Sequence, residues 1–411
     1  MRVLTTISRV LVGLLFIFSG FIKANDPLGF SYKLEEYYHV FHLDFLASSA
    51  LVQAMFICIL EMVLGVAVLL GTRMRLTASL LLGMMIFFTL LTGYTAISNW
   101  FFENPESGTT KWFANLLGFE PKRIYYMTDC GCFGEFLKLT PWQSFAKDLV
   151  LLVFVIIIFI RRKHTRSLFS RTIQTNIIAT LTIAFTLFTV WVYLYLPYVN
   201  FLNWKEGNDV ATLITCPPDA PKDSLVQVFV YKVNGVPTDF SYEDMMAMKI
   251  PEGAEFVTRK DKLVKEGCRP KIVGFSMDKG GVDYKDSMLR SPGYQILVVS
   301  PDLNKARKGA MKKLGKLSEE LVAKDTANTV KMWGIAANSD EEMEKFRHEY
   351  GLMFDYYRID NKMAKSMIRS NPGIILMKGS VVIKTWAARS VPSAEKVRKI
   401  VEKHKKKQSK Q

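Results

Sequence analysis

Residues 58–65 read Cys58-Ile59-Leu60-Glu61-Met62-Val63-Leu64-Gly65, the centre of an apolar run from about 47 to 70. A run of that length crosses the hydrocarbon core of a bilayer as one helix. A carboxyl group at that depth costs on the order of several kcal/mol unless it faces other protein, so this helix belongs to a bundle and turns Glu61 inward. Glu61 then has two readings: a functional acid, or a protonated carboxyl that hydrogen-bonds a neighbouring helix. Cys58 lies three residues earlier on nearly the same face and reads as a small apolar filler. Gly65 and Gly71, with Gly83 in the next run, are expected to let helices approach closely.

Four more apolar runs flank this one, at about 5–22, 77–99, 142–160 and 173–197. Together they account for a hydrophobic content of 49% in a chain of 411 residues with net charge +16. The first run lacks a small-residue cleavage site and is followed by further spans, so it is expected to stay in the membrane. Positive residues cluster at alternate connections: Arg2 and Arg9, then Arg73 and Arg75, then Arg161-Arg162-Lys163-His164-Thr165-Arg166. By the positive-inside rule those ends are cytoplasmic. The connections 24–46 and 100–141, and everything after Leu196, then face outward, in a bacterial cell the periplasm. The basic tail from Lys403 to Lys407 reads as a solvated end. No basic face interleaved with aromatics supports nucleic-acid binding.

The outward connection 100–141 contains Cys130-Gly131-Cys132-Phe133-Gly134. Two thiols one glycine apart make a compact dithiol or a small strained disulfide ring, and strained exposed disulfides are the exchangeable ones. A two-ligand corner of a metal site and an ordinary structural cystine are the alternatives, and no nearby His or further Cys favours metal. Lys23, in the first outward connection, either snorkels to the interface or holds an anionic headgroup or lowers a thiol pKa. Five cysteines are too few for a disulfide-stapled fold. For Cys216 and Cys268 three readings stay open: a structural disulfide, a second redox pair, or unpaired thiols. Cys216, between Thr215 and Pro217, has no neighbouring base and receives no catalytic role.

After the fifth span, residues 201–290 form an expected β-rich insert, with Val226 to Phe240 a hairpin around Asn234-Gly235. Beyond it, Tyr294–Ser300 reads as a buried strand, Asp302–Ala323 as a helix and Val330–Ala336 as a second strand. A helix over Asp340–Tyr350 follows, then Phe354–Arg358, then a hairpin of Asn371–Met377 and Val381–Trp386, and a last helix from Ser393.

Ser19-Gly20, Lys23, Asp26-Pro27 and Gly29-Phe30, with Glu61, Leu64-Gly65, Leu70-Gly71 and Arg73, resemble the DoxX family of four-helix membrane proteins over about residues 1–165. Cys130-Gly131-Cys132-Phe133-Gly134 ahead of a further span is similar to the MauE branch. The resemblance implies a four-helix bundle tied to redox or disulfide chemistry, with thiol-to-quinone oxidases of the DsbB and VKOR type as the broader comparison. The Cys-X-Cys departs from their Cys-X-X-Cys, so the resemblance does not by itself carry direct quinone reduction over. From 291 to 405 the strand and helix order resembles the thioredoxin-like fold, with Pro372 where that family keeps its cis-proline. Where its Cys-X-X-Cys would stand, this chain reads Ser300-Pro301-Asp302-Leu303-Asn304-Lys305, without a thiol.

The expected fold class is thus a membrane α-helical bundle, DoxX-like over 1–165 with a fifth span at 166–200. The β-rich insert (201–290), a soluble α/β thioredoxin-like domain (291–405) and a basic tail (406–411) follow. The expected function is disulfide exchange between Cys130/Cys132 and an exported client, with Glu61 and Lys23 in support and the Pro372 face docking the client. A quinone is the candidate acceptor and no metal is implied. The competing readings are a non-enzymatic membrane scaffold or assembly subunit and, resting on Glu61, a lipid or small-molecule transporter.

Overall fold

The computed structural model describes residues 2–105, 107–117, 134–165, 167–217, 219–233, 235–265, 267–323 and 330–409. Cys130 and Cys132 lie outside the described residues, as do Arg166 and Asn234.

Helix α1 (Arg2–Ala24) is followed by α2 (Pro27–Val40), α3 (Ala50–Leu70) and α4 (Met74–Glu103). Then come the short α5 (Gly108–Leu117), α6 (Pro141–Arg161) and α7 (Arg171–Leu194). Five of these, all except α2 and α5, are long and apolar enough to cross a membrane. The chain is a membrane protein. Because the five spans alternate in direction, the start of α1, the α3–α4 connection and the α6–α7 connection share one end. That end carries Arg9, Arg73, Arg75, Arg161 and Arg162.

The expected connection 24–46 is largely helical, and the reason is local. Asp26 caps α2 by accepting the Gly29 amide at 2.9 Å, and Pro27 occupies the first turn, where its missing N–H is harmless. Helices α1 and α3 touch backbone to backbone. A methyl group on Gly13 would fall 2.5 Å from Leu69 Cγ, and one on Gly65 would fall 2.8 Å from the Gly13 carbonyl oxygen. Gly65 therefore does what its position suggests, but the other two glycines do not. Gly83 faces open space, and Gly71 ends α3 in the left-handed conformation at φ 74°, which any side chain would strain. At the same end Arg9 donates to the Val68 and Leu69 carbonyls at 3.0 and 2.9 Å, satisfying acceptors that the last turn of α3 leaves open. Helix α7 packs on the outside of α3, with 11% of its apolar window buried against 44% for α3.

Beyond the membrane, α8 (Val210–Ile214) leads to β1 (Ser224–Val233), β2 (Val236–Ser241), α9 (Tyr242–Met246) and β3 (Glu255–Lys265). These strands make an antiparallel sheet of order β2-β1-β3. A disulfide between Cys216 and Cys268 closes the base of this segment.

The larger sheet begins with the short strands β4 (Asp278–Lys279) and β5 (Val282–Asp283), followed by α10 (Lys285–Leu289) and β6 (Tyr294–Ser300). The expected helix over Asp302–Ala323 is split into a 3-10 turn at Leu303–Lys305, α11 (Lys308–Ser318) and a π-turn at Glu319–Ala323. Its start is interrupted because Asp302 caps the 3-10 turn through the Asn304 amide. β7 (Val330–Ala336), α12 (Asp340–Glu349), β8 (Tyr356–Arg358), α13 (Asn361–Met367), β9 (Gly373–Lys378), β10 (Val381–Trp386) and α14 (Ala394–Gln408) complete the chain. The sheet order is β10-β9-β6-β7-β8-β4-β5, with β6, β7 and β8 parallel and β9 antiparallel to β6.

Every residue of β6 is buried, because both faces are covered. On one face Ile296 and Val298 pack with Met311 of α11, Met343 of α12 and Val397 of α14. On the other, Leu297 and Val299 pack with Trp204, Val210, Met277, Met288 and Met367, so this second core draws on residues before the sheet as well as after it. The Asn371–Pro372 peptide is cis.

Candidate functional site

Helix α1 presents Ser19 and Lys23 on one face, one turn apart, and the close approach at Gly20 brings that face against Glu61 of α3. The Lys23 ammonium hydrogen-bonds Glu61 Oε1 at 2.8 Å and lies 2.6 Å from Oε2. The Ser19 hydroxyl donates to Oε1 at 3.1 Å. Both ionisable side chains are 3–4% exposed. The ammonium also sits over the rings of Phe88 and Phe30, at 4.6 and 5.4 Å from their centroids. Lys23 turns inward and does not reach out to the interface, and Glu61 is held from the neighbouring helix by both the Lys23 ammonium and the neutral Ser19 hydroxyl.

A second polar group faces the same interior. Asp148 of α6 is 2% exposed, accepts from the Thr92 hydroxyl at 3.0 Å and lies 2.7 Å from the Lys147 ammonium. One narrow cavity is lined by Ser19, Lys23, Glu61, Tyr37, Thr92 and Asp148, with Phe16, Phe30 and Phe88 as apolar wall. Sequence reasoning missed Asp148. The depth argument that singled out Glu61 extends to it with less force, because it lies inside the fourth apolar run but nearer its start. Cys58 is fully buried beside Ala24 and Met62, a thiol filling space as expected. Among the described residues no cluster of three His, Cys, Asp or Glu side chains converges to hold a metal.

Above this cavity, a second pocket is lined by Lys23, Asn25, Asp26, Gly134, Glu135, Val199 and Phe201. Gly134 and Glu135 follow Cys132 in the sequence by two and three residues. Phe136 fixes this segment edge-on against Phe18 of α1 and Phe201, with ring centroids 5.7 and 5.2 Å apart. Asn25 anchors the exit from α7 by exchanging two hydrogen bonds with the Val199 backbone, at 2.8 and 3.0 Å.

The C-terminal region meets the bundle through α13 and the residues after it. Lys362 pairs with Glu36 at 3.0 Å, Lys365 with Glu35 at 3.3 Å, and Arg369 Nε reaches both oxygens of Asp26 at 2.8–2.9 Å. The Arg369 guanidinium also donates to the Lys365 carbonyl. Lys365 lies over the ring of Tyr32. Burial opposes the charge of Arg369, but Asp26, with Glu135 adding to it, more than offsets that and holds the guanidinium above its ordinary value. Burial pushes the Tyr32 hydroxyl up to about 12. Burial also disfavours the charged Glu36 carboxylate, yet Lys33 and Lys362 together hold it below the ordinary range.

Pro372 is buried, and its neighbours Ser370 and Asn371 face a cleft shared with Tyr32 of α2 and Tyr193 of α7. The loop expected to receive a partner thus opens toward the chain's own bundle. Cys216 and Cys268, left open by the sequence, are joined to each other, at a Cα separation of 6.1 Å.

These features define a polytopic helical membrane protein with a charged interior and a sheet-containing C-terminal region docked at one end. Residues 1–100 match the family model of the methylamine utilisation protein MauE. No curated protein matches the chain.

Proposed function

We propose that this chain is a thiol–disulfide exchange protein of the bacterial inner membrane, working on an exported client through Cys130 and Cys132. The observation that carries the reading is the seat of the segment just after the two thiols. Gly134 and Glu135 line a pocket with Lys23 and Asp26, so that segment lies over the Lys23–Glu61 pair and beside the contact that docks the C-terminal region. A MauE-like first 100 residues supports a membrane bundle of this kind. The methylamine role in that family's description is not carried over.

The C-terminal sheet supports a thioredoxin-like reading: three parallel strands, then an antiparallel pair entered from the loop ending at Pro372. Its first helix follows Ser300–Lys305 and has no thiol, so the domain binds and positions and does not exchange. The basic end of the bundle supports a cytoplasmic N-terminus and an outward C-terminal region.

In the oxidising direction, a client thiolate attacks one sulfur of the Cys130–Cys132 disulfide. The S–S bond breaks, a mixed disulfide forms and the second sulfur leaves as a thiolate. A second client thiolate then attacks the mixed disulfide, leaving a client disulfide and the reduced pair. The pair is left as two thiolates holding two electrons; a membrane quinone would accept these together with two protons from the surroundings, becoming the quinol. Lys23 and Glu61, joined by a hydrogen bond beneath the segment that follows the thiols, would move the protons.

The test is a trap in intact cells. Cys132→Ala should accumulate a discrete higher-mass adduct on non-reducing gels that dithiothreitol removes, and Glu61→Gln should leave the adduct but slow reoxidation of the pair. No adduct from Cys132→Ala or Cys130→Ala would make the pair a structural cystine and the chain a membrane scaffold.

A further inference from the structure

Between the bundle and the C-terminal region lies a cleft of about 710 Å³, including its open mouth. Its membrane-side wall is Leu28 and Tyr32 of α2 with Tyr193 and Leu194, the last turn of the fifth span. Its other wall carries four cations: Lys305, Arg307, Arg369 and Arg389. Arg369 is committed to Asp26, and Lys305 lies 3.7 Å from Asp302. Among the described residues no carboxylate pairs with Arg307 or Arg389, and both side chains are exposed.

The height of the cleft is set by its walls. α7 leaves the apolar layer at Leu194, and α2 begins three residues after α1 ends. The cleft therefore lies where the hydrocarbon core gives way to the phosphate layer. Tyr32 and Tyr193 are amphipathic rings of the kind that settle at this boundary. Guanidinium groups match phosphate oxygens in shape as well as in charge. Like charges gathered in one cleft repel each other, and an anion between them removes that repulsion.

We propose that this cleft binds the phosphate of an anionic phospholipid in the leaflet on the side of the C-terminal region, held by Arg307 and Arg389 against Tyr32 and Tyr193. The lipid would touch the bundle and the C-terminal region at once, adding a non-protein bridge to the ion pairs of α13. The site does not depend on the thiol chemistry proposed above.

The test compares phosphatidylglycerol with phosphatidylcholine on the full chain in mixed nanodiscs, reading the bound lipid by native mass spectrometry after release into detergent. Each surface arginine near anionic lipid contributes about fivefold in affinity, so the pair should favour phosphatidylglycerol by about 25-fold. Arg307→Gln with Arg389→Gln should bring the two lipids to parity, whereas Lys399→Gln with Lys403→Gln, away from the cleft, should not. Equal retention of the two lipids by the native chain overturns the site, as does an undiminished preference in the arginine variant. A parallel arm adds inorganic phosphate in detergent. If millimolar phosphate alone gives the thermal stabilisation that phosphatidylglycerol gives, the ligand is a soluble phosphate and the lipid assignment falls. Folding of the arginine variant is checked by its unchanged melting in phosphatidylcholine, and failure of thiol trapping leaves this result untouched.

Discussion

The interior of the membrane bundle and the interior of the C-terminal sheet are built on opposite terms. Around β6 the sheet buries aliphatic and aromatic side chains on both faces, and the polar Gln295 within it is satisfied by neutral partners, accepting from the Trp333 indole at 3.0 Å and donating to the Met288 and Gly379 carbonyls. The bundle encloses Lys23, Glu61, Ser19, Thr92 and Asp148 around one cavity. Apolar residues of the same volume would hold the helices together as well or better, since a buried ion pair rarely adds net stability. The bundle keeps charges where stability does not ask for them. The sheet keeps almost none. Under the function proposed above, that contrast puts the chemistry in the membrane bundle and leaves the sheet to shape and docking.

The contrast is broken most directly at the buried pair. Lys23→Met alone strands the Glu61 carboxylate and should destabilise the bundle by about 3–5 kcal/mol, whereas Lys23→Met with Glu61→Leu should recover most of that loss. Thermal unfolding in detergent measures both, and a double variant as weak as the single one would show that the pair is structural glue. In the sheet, Leu297→Ala should cost about 2–5 kcal/mol through the cavity it leaves, and no second substitution of a polar partner should restore it. The junction comes next. Arg369→Ala removes charged hydrogen bonds from Asp26 worth about 1.5–3 kcal/mol. Hydrogen exchange should quicken in α13 and α2 while β6 and β7 stay protected; a uniform change would mean that the two regions fold as one unit.

The smallest effect is a pH dependence. Glu36 has a folded-state pKa below its ordinary value of 4.5, so its contribution is complete above that value and is lost as pH falls through the lower folded value. Its pairs are partly exposed and worth about 1 kcal/mol or less. Exchange in α13 should therefore rise on acidification below pH 4.5, and Glu36→Gln should flatten that rise.

How far the chain could be read in advance follows from the range of each signal. The five spans were legible because hydropathy is a local property of about twenty residues. The strands β6, β7, β9 and β10 were legible for the same reason, as short apolar runs between turn residues. Helix α2 escaped notice because its apolar residues form no long run, although Asp26-Pro27 is a helix-start signal. Asp148 was within reach of the argument used for Glu61 and was hidden by its place near the start of a span, beside Lys147. The pairings Lys23–Glu61 and Arg369–Asp26 were out of reach. Nothing in a single sequence says which of several charges will meet, and the second pair lies 343 residues apart. Cys130 and Cys132 were the sharpest local signal for function, and they lie outside the described residues.

Asp26 has one more consequence, which concerns the order of assembly. Its carboxylate caps α2 within the first tenth of the chain but acquires Arg369 only when nearly all of the chain has been synthesised and its C-terminal part has been delivered to the same side of the membrane. The contact cannot guide insertion, because the spans are already in place when it becomes available. It works as a closing latch. A chain with a misdirected fifth helix would carry Arg369 to the opposite side of the bundle from Asp26 and leave the latch open.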